Sequence, residues 1–100
     1  MLDIDLINRD TEGELVLSGR LDNSTAVEAE KIFDTVTERY NDVILNMKNL
    51  EYISSAGLRI LKRAYMTMRR KDGSLKLKNV NEMVMEVFEV TGFAGLLQFI

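Results

Sequence analysis

The chain has 100 residues, 46% hydrophobic and 29% charged, with a net charge of −3; this is ordinary globular composition, enough for one modest core and too short for two. It contains neither Cys nor His, which excludes thiol and imidazole chemistry, haem and the usual zinc ligand sets. No apolar run nears the roughly 20 residues of a membrane span, and the acidic start "MLDIDLINRD" is unlike a secretory signal. The charge gives no reason to expect direct nucleic-acid binding, so a single cytoplasmic domain over residues 1–100 is expected.

In chain order, Leu2, Ile4 and Leu6 alternate with Asp3 and Asp5, the period of a half-exposed strand whose outward acids suit a sheet edge. "TEG" around Gly13 is a turn signal, and "ELVLSG" gives a second strand and a hairpin. The period then changes. Ala29, Ile32, Phe33, Val36 and Tyr40 share one helix face, which predicts a helix from Thr25 to Tyr40 capped by Asn23, Ser24 or Thr25. "DVILNM" reads as a central strand, parallel to the second because a helix joins them.

Leu58, Leu61, Tyr65 and Met68, with Ala64, mark a second helix stopped at Gly73. "SLKLKNV" is a fourth strand, with Lys76 and Lys78 facing outward at the other edge. Asn81 begins a third helix with an apolar face of Met83, Val84, Val87 and Phe88, ending at Gly92. "FAGLLQFI" is expected to be a short terminal helical turn. The order β-β-α-β-α-β-α with that last turn is an α/β fold: a four-stranded mixed sheet packed against helices.

In such a sheet the loops after the parallel strands gather on one rim. "GRLDNS" (19–24) and "KNLEYISS" (48–55) should therefore bring Asp22, Asn23, Ser24, Ser54 and Ser55 together. Ser54 and Ser55 open a helix, where free N–H groups and the helix dipole favour a cap or an added phosphate. A phosphate would add about −1.5 to −2 charge to that surface. On the residues alone both readings stand, and Gly57 has a second reading as a point of close approach between helix and sheet.

Arg59, Lys62, Arg63, Arg69, Arg70 and Lys71 form a basic strip. Removing its six positive charges from the net −3 leaves −9 on the rest of the chain. It is a solvated helix face or a guide for an acidic partner. Asp3 and Asp5 read as solvated, and the six Met residues as core filler. No GxxxxGK[ST] or GxGxxG sequence supports nucleotide binding, and no cofactor or metal is expected.

These segments resemble one family. From "LVLSGRLDNSTA" through "VILNMKNLEYISSAGLRIL" to "GSLKLKNVNEMVMEVFEVTGF" the chain is similar to STAS domains, as found in bacterial anti-sigma factor antagonists. The resemblance implies a non-enzymatic partner-switching protein. Unphosphorylated, such a protein binds an anti-sigma factor that is also a serine kinase and so frees a sigma factor for transcription; phosphorylated, it lets go, and a phosphatase is a further partner. In the family register the acceptor is Ser55, and Asp22 matches a family acid on the same rim.

Asn23, Ser24 and Arg59 join that docking surface, with the N–H groups of Ala56 and Gly57 as phosphate support. Two positions depart from the family pattern. Ser54 stands where Asp is common, which makes it a competing acceptor, and Leu45, Asn46 and Met47 stand where Leu-Asp-Leu is usual; both remove a negative charge near the acceptor. The alternative reading is a constitutive, unphosphorylated interaction module in a larger sensory or transport assembly. Oligomeric state is left open by the sequence.

Overall fold

The alternating start of the chain forms β1 (Leu2–Arg9), antiparallel to β2 (Glu12–Leu21). The computed structural model describes residues Met1–Ile100. Turning occurs at Asp10 and Thr11, earlier than the expected Gly13; Asp10 takes the left-handed conformation at φ 63°, which Asp tolerates. Gly13 instead lies within β2, where a Cβ would sit 2.7–3.0 Å from the Tyr40 ring.

α1 (Ala26–Arg39) leads to β3 (Asp42–Ile53), α2 (Ser55–Arg70) to β4 (Ser74–Lys78), and α3 (Glu82–Thr91) to a 3-10 turn at Phe93–Gly95. The expected terminal helical turn is thus followed by a fifth strand, β5 (Gln98–Phe99), parallel to β4. Two residues are too few to show a period in sequence, and the Ile100 amide completes the pairing by donating to the Leu77 carbonyl at 2.9 Å. The sheet order is β1-β2-β3-β4-β5, mixed, with only β1 antiparallel. The expected α/β fold with a mixed sheet holds with five strands, and β4 is not an edge.

β3 is also longer than the "DVILNM" core. It continues through Ile53 because β2 supplies partners as far as Leu21, with irregularities between Val16 and Ser18 and between Gly19 and Arg20. Residues 48–53, expected in a rim loop, are strand. Gly19, at φ 109°, permits a bend that a Cβ would block against the Met1 carbonyl.

One core unites sheet and helices. Leu15, Leu17, Val43, Leu45, Met47, Leu75 and Leu77 from the strands meet Phe33, Val36, Leu61, Met68, Val84 and Phe88 from the helices. The α1 stripe is as expected except that Ile32 is only partly buried. In α2, Ile60 joins Leu58, Leu61, Ala64 and Met68 in the core, while Tyr65 packs at its margin. Met83 is 60% exposed, so the α3 contact is made by Val84 and Phe88.

The methionines are therefore not all core filler: Met47 and Met68 are buried, whereas Met1, Met66 and Met83 are exposed. α2 stops with Asp72 in the left-handed conformation, φ 57°; Gly73 is needed for space, its would-be Cβ falling 2.5 Å from the Asn41 carbonyl. α3 is capped by Asn81, which accepts from the Val84 amide at 2.8 Å, and ends at left-handed Gly92. No helix is long and apolar enough to cross a membrane.

Candidate functional site

The C-terminal ends of β2 and β3 lie side by side, with Arg20 paired to Tyr52 and Leu21 to Ile53. The chain then leaves each strand for a helix. The Ser54 amide donates to the Leu21 carbonyl at 2.9 Å, so the first residue after β3 is fastened to the last residue of β2. This brings the 22–25 loop beside the start of α2, as the sequence predicts.

The two serines do different things. Ser54 is the N-cap of α2: it has extended backbone, and its hydroxyl accepts from the Gly57 amide at 3.3 Å. Ser55 is the first helical residue and is exposed. Only the Ser54 hydroxyl of the pair is engaged in a hydrogen bond. Because Ser54 already occupies the Gly57 N–H, that group is not free to support a phosphate in this state, in contrast to the expectation; the Ala56 N–H has no such cap.

Gly57 sits at a close approach of helix to sheet. A Cβ there would fall 2.8 Å from both Ile53 Cγ1 and Leu21 Cγ, and 3.1 Å from the Leu21 carbonyl oxygen. Ala56 is buried too, so the first turn of α2 is pressed onto the sheet and turns Ser55 and Arg59 outward, both exposed.

Across the rim, Asp22 organises its own loop. One carboxylate oxygen accepts from the Ser24 hydroxyl at 2.7 Å, the Ser24 amide at 3.0 Å and the Thr25 amide at 3.3 Å. Thr25, at the N-cap position of α1, offers no side-chain cap to the helix. Its hydroxyl instead accepts from the Asp22 amide at 3.0 Å and donates to the Arg20 carbonyl at 2.9 Å. The Ser24 hydroxyl, seconded by the two backbone amides and opposed by partial burial, holds the Asp22 carboxyl below its ordinary value of 3.8. Asp22 is thus a fixed negative charge, with Arg20 Nε 3.6 Å from its other oxygen. Asn23 and Ser24 are exposed at the loop tip.

Several rim residues carry no mark in the sequence. Arg20 stacks its guanidinium 4.3 Å above the Tyr52 ring, and the pair borders a shallow depression of about 630 Å³ that reaches Asn81 and Met83. Val27 is 67% exposed beside a small groove of about 170 Å³ between the first turns of α1 and α2, where Arg59 and Glu30 also lie. The available signal was phase: Val27 is apolar but falls off the Ala29, Phe33 and Val36 stripe.

Asn46, expected near the acceptor, does not lie beside Ser55. Its side chain donates to Glu14 at 3.0 Å and accepts from the Asn79 side chain at 3.1 Å, on the sheet face away from the helices.

Known proteins share the fold that carries this rim. The anti-sigma-B factor antagonist of Staphylococcus epidermidis is 29% identical over 97 residues, 96% of this chain and 90% of its own length. An anti-sigma factor antagonist from Mycobacterium paratuberculosis shares the fold with a TM-score of 0.88 at 18% identity, covering 99% of this chain and 85% of that one. The Bacillus cell fate determinant SpoIIAA, in its phosphorylated form, gives 0.75 at 17% identity, covering 100% and 91%. The family model described as the STAS domain matches residues 4–100, all but the first three residues, and the chain belongs to the STAS domain family.

Proposed function

We propose that this protein is an anti-sigma factor antagonist: a non-enzymatic partner switch that binds an anti-sigma factor with serine kinase activity and is released when Ser55 is phosphorylated. The observation that carries this reading is the division of labour between the serines. The Ser54 hydroxyl is held in a cap, whereas Ser55 is exposed at the first helical position. A kinase can reach Ser55 without unwinding the helix.

The docking surface runs from Asp22, Asn23 and Ser24 to Ser54, Ser55 and Arg59, with exposed Val27 as its apolar contact. A phosphate on Ser55 gains from the helix N-terminus and adds about −1.5 to −2 charge. The nearby loop already carries the fixed Asp22 charge. That charge opposes a second negative group by repulsion, whereas the helix N-terminus favours it, and the added charge changes the surface that a partner meets. A change of about 3 kcal/mol in binding alters affinity by more than a hundredfold.

The test is mass spectrometry of the protein isolated from its own host, growing and stressed, with partner capture by unmodified protein, Ser55→Ala and Ser55→Asp. A condition-dependent phosphate on Ser55, with capture retained by Ser55→Ala and lost by Ser55→Asp, supports the switch. A bound partner with no phosphate under any condition would instead favour the constitutive interaction module.

A further inference from the structure

All three helices pack on one side of the sheet. Leu15, Leu45 and Leu77 point into that shared core, so the alternate residues of the same strands point to the other side, which no element covers. On that bare face the register aligns Asp5, Val16, Asn46 and Lys78 in one row, and Ile7, Glu14, Ile44 and Lys76 in the next. Across these two rows Asp5 lies on the β1 side and Lys76 and Lys78 on the β4 side; in the row beyond, Arg9, Glu12, Asp42 and Ser74, the Arg9 charge is taken up by Glu12 and Glu14.

The middle of the face is preorganised. Glu14 is 2% exposed, held by Arg9 at 2.7 Å, Asn46 at 3.0 Å and Lys78 at 3.4 Å. Its charge is compensated within the chain, and half-buried Val16 and Ile44 lie around it. Asp3, Asp5 and Lys76, by contrast, take part in none of the five ion pairs of the chain.

We propose that this bare sheet face is a self-association surface, occupied by a second copy of this chain docked face to face with its strands running in the same direction. A two-fold axis parallel to the strands, midway between the two sheets, exchanges their left and right edges. It sets the acidic β1 side of each copy over the basic β4 side of the other, so the attraction is made twice. An axis across the strands would instead set acid on acid. The charge pattern selects the aligned orientation, within the roughly 30° usual for packed sheets.

The apolar centre is small, so the association is weak and salt-sensitive. The rim bearing Ser55 lies at the strand ends, outside the contact, and in the aligned pair both rims point the same way.

Sedimentation equilibrium of the intact chain up to about 500 µM tests this. Expected is a monomer–dimer equilibrium whose dissociation constant rises about tenfold or more from about 50 mM to about 500 mM salt. The double variant Asp3→Lys/Asp5→Lys and the variant Lys76→Glu, each checked for folding by circular dichroism, are expected to be monomeric alone and to form a mixed dimer when combined. A wild-type protein that stays monomeric at low salt overturns the proposal, whether or not it binds some other molecule. So does a dimer indifferent to both salt and charge reversal.

Discussion

The amide of Ser54 donates to the carbonyl of Leu21 at 2.9 Å, joining the start of α2 to the end of β2 across the rim. That bond fixes where the helix begins. It makes Ser54 the cap and leaves Ser55 one residue further on, exposed.

The two serines should therefore separate by stability. Ser54→Ala removes the bond to the Gly57 amide and is expected to cost about 1 kcal/mol in urea unfolding. Ser55→Ala is expected to stay within about 0.5 kcal/mol of wild type, as a surface change away from any cap does. Equal losses would contradict this assignment of the cap.

Gly57→Ala adds a methyl 2.8 Å from Leu21 Cγ and Ile53 Cγ1. Overpacking of this kind is expected to cost about 1–3 kcal/mol, and a chain of this size loses about 4–8 °C of Tm per kcal/mol. Calorimetry reads the shift directly. An unchanged Tm would mean that the first turn of α2 is not pressed against the sheet.

Lys71 closes the far end of α1. Its ammonium donates to the carbonyls of Thr37 at 2.9 Å, Tyr40 at 3.0 Å and Glu38 at 3.1 Å, which would otherwise lack partners at a helix C-terminus. Lys71→Met, which keeps the aliphatic stem, is expected to lower stability by about 1–2 kcal/mol. Lys62→Met, on the exposed face of α2, serves as the control and should show little change.

Acid should weaken the fold through Glu14. The Arg9 guanidinium, with Asn46 and Lys78, holds its carboxyl below the ordinary 4.5 against the opposing push of burial. The unfolded chain then binds the proton more tightly, so this contribution is present above about pH 4.5 and is lost as pH falls through the folded value. Urea midpoints measured from about pH 7 to about pH 3 should fall on the acid side. Glu14→Gln should flatten that limb without abolishing it, because Asp22 is shifted in the same direction by the Ser24 hydroxyl.

The order of strands and helices was legible in the sequence because each long element carries its own period: Ala29, Phe33 and Val36 on one helix, Leu15 and Leu17 against the outward residues of a strand. The gathering of the 22–25 loop and the start of α2 on one rim was legible as well, since parallel strands force successive loops to one rim. Short or borrowed structure was not. β5 has two residues and exists through its bonds to β4, and the outer half of β3 is strand because β2 pairs with it.

Only the tertiary structure showed which serine caps the helix. Both are competent caps by residue type, and the choice was made by a carbonyl on another strand. The same holds for the bare face of the sheet: each strand shows its alternation locally, but the separation of acid from base depends on strand order, which is fixed by contacts between residues far apart in the chain.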